Sequence, residues 1–367
     1  MIYLDNGATS FPKPDSVIKR SARFISAANP GRSSHALARD ASEEVYSVRK
    51  SAAELFGCET EEVAFTSGAT AALNMAIKGL IPDGCHIITT DMEHNSVRRP
   101  LYSLARDEGC RISRISTVHP ERAAEEIRGL IRADTRAVVV NHASNIVNRV
   151  LPLWEIGEVC REYGLIFIVD ASQSAGKYEI DVRRANIKAL CAAGHKGLLG
   201  PMGVGLLIID KDLRPKTILE GGSGTQSREA EMPSELPDRL EAGTLPLPAI
   251  AGLGEGIRWV MNTGVNNIRR WEKMLFDIAV RHIKYATVYE RHLSGANLLF
   301  NVDGLSAAET AARLDALGFA VRSGLHCAPD AHESVGTPEY GAVRASLGPF
   351  TTERDVLLFA RALNSLH

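Results

Sequence analysis

The chain has 367 residues, of which 45% are hydrophobic and 23% are charged, and its formal net charge is -2 at pH 7. This composition is typical of a globular protein with room for one large domain and a smaller one. The near-neutral charge does not favour a nucleic-acid-binding surface. The apolar runs at 137–140 and 206–209 are too short to span a bilayer, and the N-terminus does not resemble a signal peptide. We therefore expect a cytoplasmic protein with no nucleic-acid or membrane partner.

Short apolar segments alternate with amphipathic helical patterns along most of the chain. The pattern predicts strands at 63–66, 86–90, 136–141, 165–170, 189–192, 204–209, 297–302 and 320–322. It predicts helices at 15–27, 36–56, 71–79, 100–108, 153–163, within 267–291, and at 306–317 and 352–366. Short apolar strands that alternate with helices indicate an α/β fold with a mainly parallel sheet covered on both faces.

The chain divides naturally into two predicted domains. Residues 15–255 form the expected large domain, and residues 1–14 join residues 256–367 in the small one. The segment 221–243 is rich in Gly, Ser, Pro and Glu with little periodicity, which predicts a long functional loop.

Lys196 follows a predicted buried strand and lies between two glycines, Gly194 and Gly197. Glycines allow the backbone to pack closely against a bulky group. A lysine in such a place can have a lowered pKa and act as a nucleophile that forms a Schiff base. A solvated loop lysine is the alternative interpretation.

Two further motifs accompany this lysine. Asp170 ends a predicted buried strand, where open α/β sheets bind ligands. An aspartate there could keep the pyridine nitrogen of pyridoxal phosphate (PLP) protonated, or it could simply cap the next turn. The segment 66–70 places a glycine-containing turn before a predicted helix, which suits a phosphate group but also ordinary capping.

The order of these motifs resembles the cysteine desulfurase and selenocysteine lyase branch of the class V aminotransferase family of PLP enzymes. The resemblance covers nearly the whole chain and is carried by segments 4–9, 66–74, 92–96, 141–145, 169–176, 194–197, 241–244, 322–328 and 343–348. It implies a fold-type I PLP-dependent transferase, with a mainly parallel seven-stranded sheet in the large domain and a smaller α+β C-terminal domain.

The same resemblance implies roles for individual residues. Lys196 would carry PLP, Asp170 would bind its pyridine nitrogen, and His94 would stack on its ring and help to move protons. Gln173 would contact the cofactor's phenolic oxygen, and four residues would contact its phosphate: Ala69, Thr70, Ser172 and His195. Thr225 would reach the phosphate bound in a neighbouring subunit. Thr225 therefore implies a homodimer, unless it is an ordinary loop residue. The alternative for His94 is an ordinary polar histidine in a loop. No metal ligand is implied.

Three residues are implied on the substrate side. Arg344 resembles the arginine that binds the substrate α-carboxylate, a task that suits a planar guanidinium, although a structural ion pair is the alternative. Asn145 would lie between the cofactor and the substrate. Cys327 resembles the sulfur-accepting nucleophile, whose thiolate form His326 or Arg322 could favour.

These residues lead to the expectation of a cysteine desulfurase that converts L-cysteine to L-alanine and leaves sulfur on Cys327 as a persulfide for an acceptor protein. Three alternatives stay open: a selenocysteine lyase, a PLP-dependent β-lyase or aminotransferase that does not use Cys327, and an inactive PLP-binding partner. The chain departs from the family pattern at Gly7, where relatives commonly have alanine, and at Ala69, where many have threonine.

Overall fold

The structure is a computed structural model that describes residues 1–30, 35–337 and 339–367. Its α-helices are α1 (Asp15–Phe24), α2 (Ala36–Phe56), α3 (Ala69–Leu80), α4 (Asn95–Asp107), α5 (Ala123–Leu130), α6 (Leu153–Glu162), α7 (Leu247–Thr263), α8 (Val265–His282), α9 (Ala307–Ala316), α10 (Pro329–Ser334) and α11 (Glu353–Asn364). Its strands are β1 (Ile2–Tyr3), β2 (Val63–Thr66), β3 (His86–Thr90), β4 (Arg111–Ile115), β5 (Thr135–Asn141), β6 (Ile166–Asp170), β7 (Ala189–Ala193), β8 (Gly205–Ile209), β9 (Thr287–Val288), β10 (Asn297–Asn301), β11 (Phe319–Ala320), β12 (Arg322–Gly324) and β13 (Ala342–Ser346).

A seven-stranded sheet with the order β2-β8-β7-β6-β5-β3-β4 forms the centre of the predicted large domain. Only β8 runs antiparallel to its neighbours, so the predicted mainly parallel sheet is confirmed. Alternate residues of each strand enter different cores: Val138 and Val140 pack on one face, and Ala137 and Val139 pack on the other. The carboxyl ends of the parallel strands therefore converge on one edge, where ligand sites of such sheets form.

A second core belongs to the C-terminal part of the chain. A four-stranded antiparallel sheet, β12-β13-β10-β9, packs with α8, α9 and α11 around Phe300 and Phe359. The N-terminus joins this part, because β1 pairs in parallel with β11 and Leu4 lies in the same core. Within the described ranges, no helix is both long and apolar enough to cross a membrane.

Several predicted boundaries differ from the structure. Helix α4 starts at Asn95 and not at residue 100, because His94 caps it by accepting a hydrogen bond from the Ser96 amide. The helix predicted within 267–291 ends at His282, and residues 287–288 form β9 beside β10. The sequence pattern missed β1, β4, α5, α10 and β13. The two-domain division stays a prediction, but helix α7 crosses its boundary at residue 255 and continues to Thr263.

We expect Gly157→Ala in α6 to destabilise the fold, because a Cβ at Gly157 would lie 1.8 Å from the Ala185 carbonyl oxygen. Overpacking of this kind costs about 1–3 kcal/mol of unfolding free energy. Gly129→Ala in α5 is the matched control, since a Cβ at that position meets no atom within 4 Å. Alanine should there raise stability by about 0.5–1 kcal/mol. Equilibrium urea unfolding of both variants checks the prediction, and equal stabilities would contradict it.

Candidate active site

A cavity of about 440 Å³ opens at the carboxyl edge of the large sheet. This volume lies in the range of small-molecule sites. Its walls bring together ten of the twelve residues predicted for the site: Ala69, Thr70, His94, Asn145, Asp170, Ser172, Gln173, His195, Lys196 and Arg344. Cys327 and Thr225 do not line it. Among these ten residues, the cavity brings together side chains that are separated by as many as 275 positions in the sequence, from Ala69 to Arg344.

One end of the cavity is suited to an anion. Helix α3 begins at Ala69 after Gly68, and no side chain caps its first turn, so backbone N–H groups are available there. Thr70 adds a hydroxyl that lies 2.8 Å from the Ser96 hydroxyl. His195 contributes a buried Nδ1 that has no partner within the described residues. These groups can receive a phosphate.

Asp170 ends strand β6, and Lys196 follows the neighbouring strand β7. The two residues interact electrostatically. Burial lowers the pKa of the Lys196 amine to about 8, and the nearby Asp170 partly opposes this shift. Asp170 is buried, and its Oδ1 accepts hydrogen bonds from the Ser172 amide (2.8 Å) and hydroxyl. An amine with this pKa has a substantial neutral, nucleophilic fraction near neutral pH.

The N-terminal strap, which we define as residues 4–13, lines the cavity with Gly7 and Ala8. It also contacts the lysine loop, which we define as residues 194–198 after β7. The carbonyl oxygen of His195 lies within reach of the Ser10 amide (3.0 Å) and hydroxyl (3.1 Å), the Thr9 hydroxyl (3.1 Å) and Lys13 Nζ (2.9 Å). A carbonyl oxygen has two lone pairs, so this cluster fully engages the peptide group that precedes Lys196. The strap thus fixes the backbone of the lysine.

His94 lies at the start of α4 with its ring nitrogens in different surroundings. Nδ1 accepts from the Ser96 amide at 3.1 Å and lies 2.9 Å from the Ser96 hydroxyl. Burial lowers the pKa of His94 below its usual value. The neutral tautomer with its proton on Nε2 is therefore favoured, and this tautomer presents a donor that the helix cap does not use.

Arg344 is almost completely buried, at 1% exposure. Its Nη1 donates to the Asn145 carbonyl at 2.8 Å, and its Nη2 pairs with Asp5 Oδ1 at 2.8 Å. Its Nε and the Oδ1 of Asn145 are buried without partners in the described parts of the chain. A guanidinium whose Nε still lacks a partner fits a bound carboxylate, and the unpaired amide oxygen beside it fits a neighbouring polar group.

Cys327 is exposed and lies on a strained turn beside the cavity. Its φ is +58° and that of His326 is +49°. Each non-glycine residue in this left-handed region costs roughly 1–2 kcal/mol. The turn is connected to the large domain by two hydrogen bonds of 2.8 Å, from the Asn95 amide to the Cys327 carbonyl and from Asn145 Nδ2 to the His326 carbonyl.

His326 cannot supply a positive charge to this turn near neutral pH. Burial lowers its pKa to about 3, and that of His332 to about 4. Its Nε2 lies 3.1 Å from the Arg322 carbonyl, which only accepts, so Nε2 carries the proton. Its Nδ1 must then accept from His332 Nε2 at 3.1 Å. Both ring nitrogens are engaged, which leaves Arg322 as the nearby cation.

The remaining predicted residues have partners that sequence could not reveal. Gln173 Nε2 donates to the Gly7 carbonyl at 2.9 Å, and the Ser172 hydroxyl donates to Asp170. Thr225 lies in an exposed loop, where its hydroxyl contacts Asp238 Oδ2 at 2.8 Å. Its predicted contact with a neighbouring subunit therefore stays a prediction.

The residues present fit pyridoxal phosphate. An amine with a lowered pKa, a buried carboxylate, and a helix N-terminus with free N–H groups surround one cavity. The unpaired buried atoms of His195, Asn145 and Arg344 line the same space. Unpaired buried polar atoms are rare in folded proteins and need a partner, which a bound cofactor and substrate would provide.

Sequence analysis missed several residues that organise the site. Asp5 pairs with Arg344, and Lys13 contacts the lysine loop. Asp330 forms ion pairs with Arg98 and Arg114. Asp5 lies in segment 4–9, which carries the family resemblance but does not reveal its partner. The other residues carry no local pattern that would reveal contacts over such long sequence separations.

Comparison with known proteins agrees with this geometry. The family model described as Aminotransferase class-V matches residues 2–359. A probable cysteine desulfurase from Pyrococcus abyssi is 31% identical, with 100% of this chain and 94% of the relative covered. Cysteine desulfurase IscS from Pectobacterium carotovorum is 32% identical, with coverage of 97% and 90%.

Solved structures give the same result. The apo structure of a cysteine desulfurase from Thermococcus onnurineus superimposes with a TM-score of 0.91 at 30% identity, and the match covers 100% of this chain and 94% of the other. The Escherichia coli cysteine desulfurase CsdA, at 24% identity and a TM-score of 0.88, covers 99% of this chain and 94% of its own and supports the fold. The chain belongs to the class V aminotransferase family.

Proposed function

We propose that the protein is a PLP-dependent cysteine desulfurase that converts L-cysteine to L-alanine and transfers the sulfur to Cys327 as a persulfide. The observation that carries the proposal is the position of Cys327: its turn forms the edge of the cavity that Lys196 and Arg344 share. The cysteine desulfurases among the relatives, which match the whole chain at about 30% identity, support it.

The residues of the cavity would hold PLP and its substrate in a defined order. The first turn of α3 would bind the phosphate, Asp170 would bind the pyridine nitrogen, and Lys196 would bind the cofactor covalently. When bound, PLP withdraws electrons from the substrate α-carbon. Arg344, with Asn145 beside it, would bind the substrate α-carboxylate and so turn the substrate sulfur toward Cys327.

Cys327 and the protein's proton-carrying groups would complete the reaction. The Cys327 thiolate would attack the substrate sulfur and form the new S–S bond. The C–S bond breaks, its electron pair stays on the substrate carbon, and a proton added to that carbon completes alanine. Lys196 and the Nε2–H of His94, both at the cavity wall, are the groups suited to exchange protons there.

The partners of this reaction are also part of the proposal. A homodimer in which Thr225 reaches the neighbouring subunit, an acceptor protein that removes sulfur from Cys327, and a cytoplasmic location stay predictions. The exposure of Cys327 supports an external acceptor, because the sulfur would be delivered at the protein surface.

The experiment that tests the function is a paired assay of PLP-loaded protein with cysteine and with selenocysteine in the presence of reductant. We expect wild type to release equal amounts of alanine and sulfide from cysteine, and Cys327→Ser to lose this activity. Cys160→Ser, a change at a cysteine buried in the large-domain core, controls for general thiol loss. Turnover of selenocysteine alone would indicate a lyase, and full cysteine activity in Cys327→Ser would remove Cys327 from the reaction.

Arg344→Lys should raise KM for cysteine by about tenfold or more, because a single ammonium cannot reproduce the planar guanidinium that pairs with Asp5 and a carboxylate together. Arg313→Lys is the matched control, since Arg313 forms an exposed ion pair with Glu309 on α9. Steady-state kinetics of both variants check this, and an unchanged KM for Arg344→Lys would show that Arg344 has a structural role only.

Covalent capture of PLP by the apo-protein should accelerate with pH and level off above pH 8. The neutral amine is the nucleophile, and burial lowers the pKa of Lys196 to about 8, with Asp170 raising it and Arg344 and Arg322 lowering it. Stopped-flow absorbance measures the rate. Burial also lowers the pKa of Lys13 to about 8. Lys13→Arg is therefore the control, and it should leave the midpoint of the rate against pH unchanged. A midpoint near 10 would contradict the lowered pKa of Lys196.

A further inference from the structure

The turn that carries Cys327 is held in a conformation that it would not adopt alone. His326 and Cys327 both have positive φ, +49° and +58°. Consecutive non-glycine residues in the left-handed region persist only where surrounding contacts determine them. The question is which contacts do so here.

Asp330 provides the charged contact. It is the second residue of α10, which begins two residues after Cys327. Its Oδ2 accepts from Arg98 Nε at 2.9 Å and lies 3.0 Å from Arg114 Nη1. Arg98 belongs to the first turn of α4, and Arg114 lies on the edge strand β4. We call this arrangement the Asp330 bridge; it connects the cysteine turn to two elements of the large domain.

The bridge acts together with a backbone contact from the same helix. The Asn95 amide, at the first position of α4, donates to the Cys327 carbonyl at 2.8 Å. Asn95 and Arg98 are three residues apart at the start of α4, so they lie on the same face of the helix. The first turn of α4 thereby contacts the chain at Cys327 itself and again three residues later. Both attachment points follow the strained residues, so the segment that leaves the turn is held at two places, whereas one would leave it free to pivot.

The charges suit a positioning role. The Asp330 side chain is 11% exposed, whereas those of Arg98 and Arg114 are 41% and 51% exposed. A nearly buried carboxylate between two guanidinium groups forms stronger hydrogen bonds than an exposed pair. The half-exposed arginines nevertheless make the bridge sensitive to salt.

We propose that Asp330 is a positioning residue for Cys327, and that its bridge to Arg98 and Arg114 keeps the thiol at the cavity edge where it meets the substrate sulfur. The inference rests on the proposed desulfurase function. Asp330 touches neither cofactor nor substrate; it acts through the backbone of the turn. Loss of the bridge would let the turn relax and move the thiol away from the cavity.

The test uses full-length PLP-loaded protein and three variants. Asp330→Asn removes the charge and keeps the shape, and Asp330→Glu restores the charge. The control, Asp107→Asn, removes an exposed carboxylate on α4 that pairs with Arg106 of the same helix. Three quantities are measured: cofactor absorbance changes on cysteine binding, Cys327 persulfide formed in a single turnover by mass spectrometry, and the rate of Cys327 alkylation by iodoacetamide without substrate.

We expect Asp330→Asn to bind cysteine as wild type does but to form the persulfide about tenfold more slowly, as for loss of a charged hydrogen bond. Its alkylation rate should differ several-fold from that of wild type. Asp330→Glu should recover most of both rates, and Asp107→Asn should match wild type. High salt should slow persulfide formation in wild type more than in Asp330→Asn.

Unchanged persulfide formation and alkylation in Asp330→Asn would overturn the proposal. Equal losses in cysteine binding and persulfide formation would also overturn it, because they would indicate general damage. If Asp330→Asn does not fold, Arg98→Gln and Arg114→Gln take its place, each with a partial loss expected. If wild type itself forms no alanine or persulfide, the desulfurase proposal fails, and the alkylation rates alone decide whether the bridge positions Cys327.

Discussion

The contact between the N-terminal strap and the His195 carbonyl connects the two halves of the site. The strap begins in the C-terminal part of the fold, where Leu4 and Asn6 hydrogen-bond to Ala320 and Ser346. It then lines the cavity and ends with four donor atoms around the carbonyl that precedes Lys196. Because Asp5 of the same strap pairs with Arg344, the lysine and the arginine are positioned by one continuous segment. A shift of the strap would change the distance between Lys196 and Arg344 across the cavity.

Gly7 shows how closely this segment approaches the arginine. A Cβ at Gly7 would lie 2.9 Å from Arg344 Cζ and 3.0 Å from the Ser346 hydroxyl. An alanine here would therefore force Arg344 or Ser346 to shift, and this constraint comes from side-chain packing and not from a left-handed backbone. Gly7, which departs from the family pattern, lets Arg344 lie closer to the strap than an alanine methyl group would allow.

Sequence reasoning succeeded where the signal was local. The buried strands β3 and β6 and the helix α2 follow directly from apolar spacing, and Lys196 and Asp170 are found at strand ends, where the sheet topology brings them together. It failed where the determining contact is distant. The start of α4 was misplaced because Pro100 is locally unfavourable in a helix, yet the His94 cap and packing against α3 override it. The Asp330 bridge spans 232 positions from Arg98 and leaves no periodic trace.

Arg322 and Arg344 give the cavity a positive charge without help from histidine. Arg322 and Arg344 face each other directly across β12 and β13, and like charges in such a pair are unfavourable. Asp5 neutralises only part of this charge, since it pairs with Arg344. The neutral His326 adds none. The excess positive charge is therefore relieved by anions that approach the cavity. A substrate carboxylate is such an anion, so its binding would depend on both guanidinium groups.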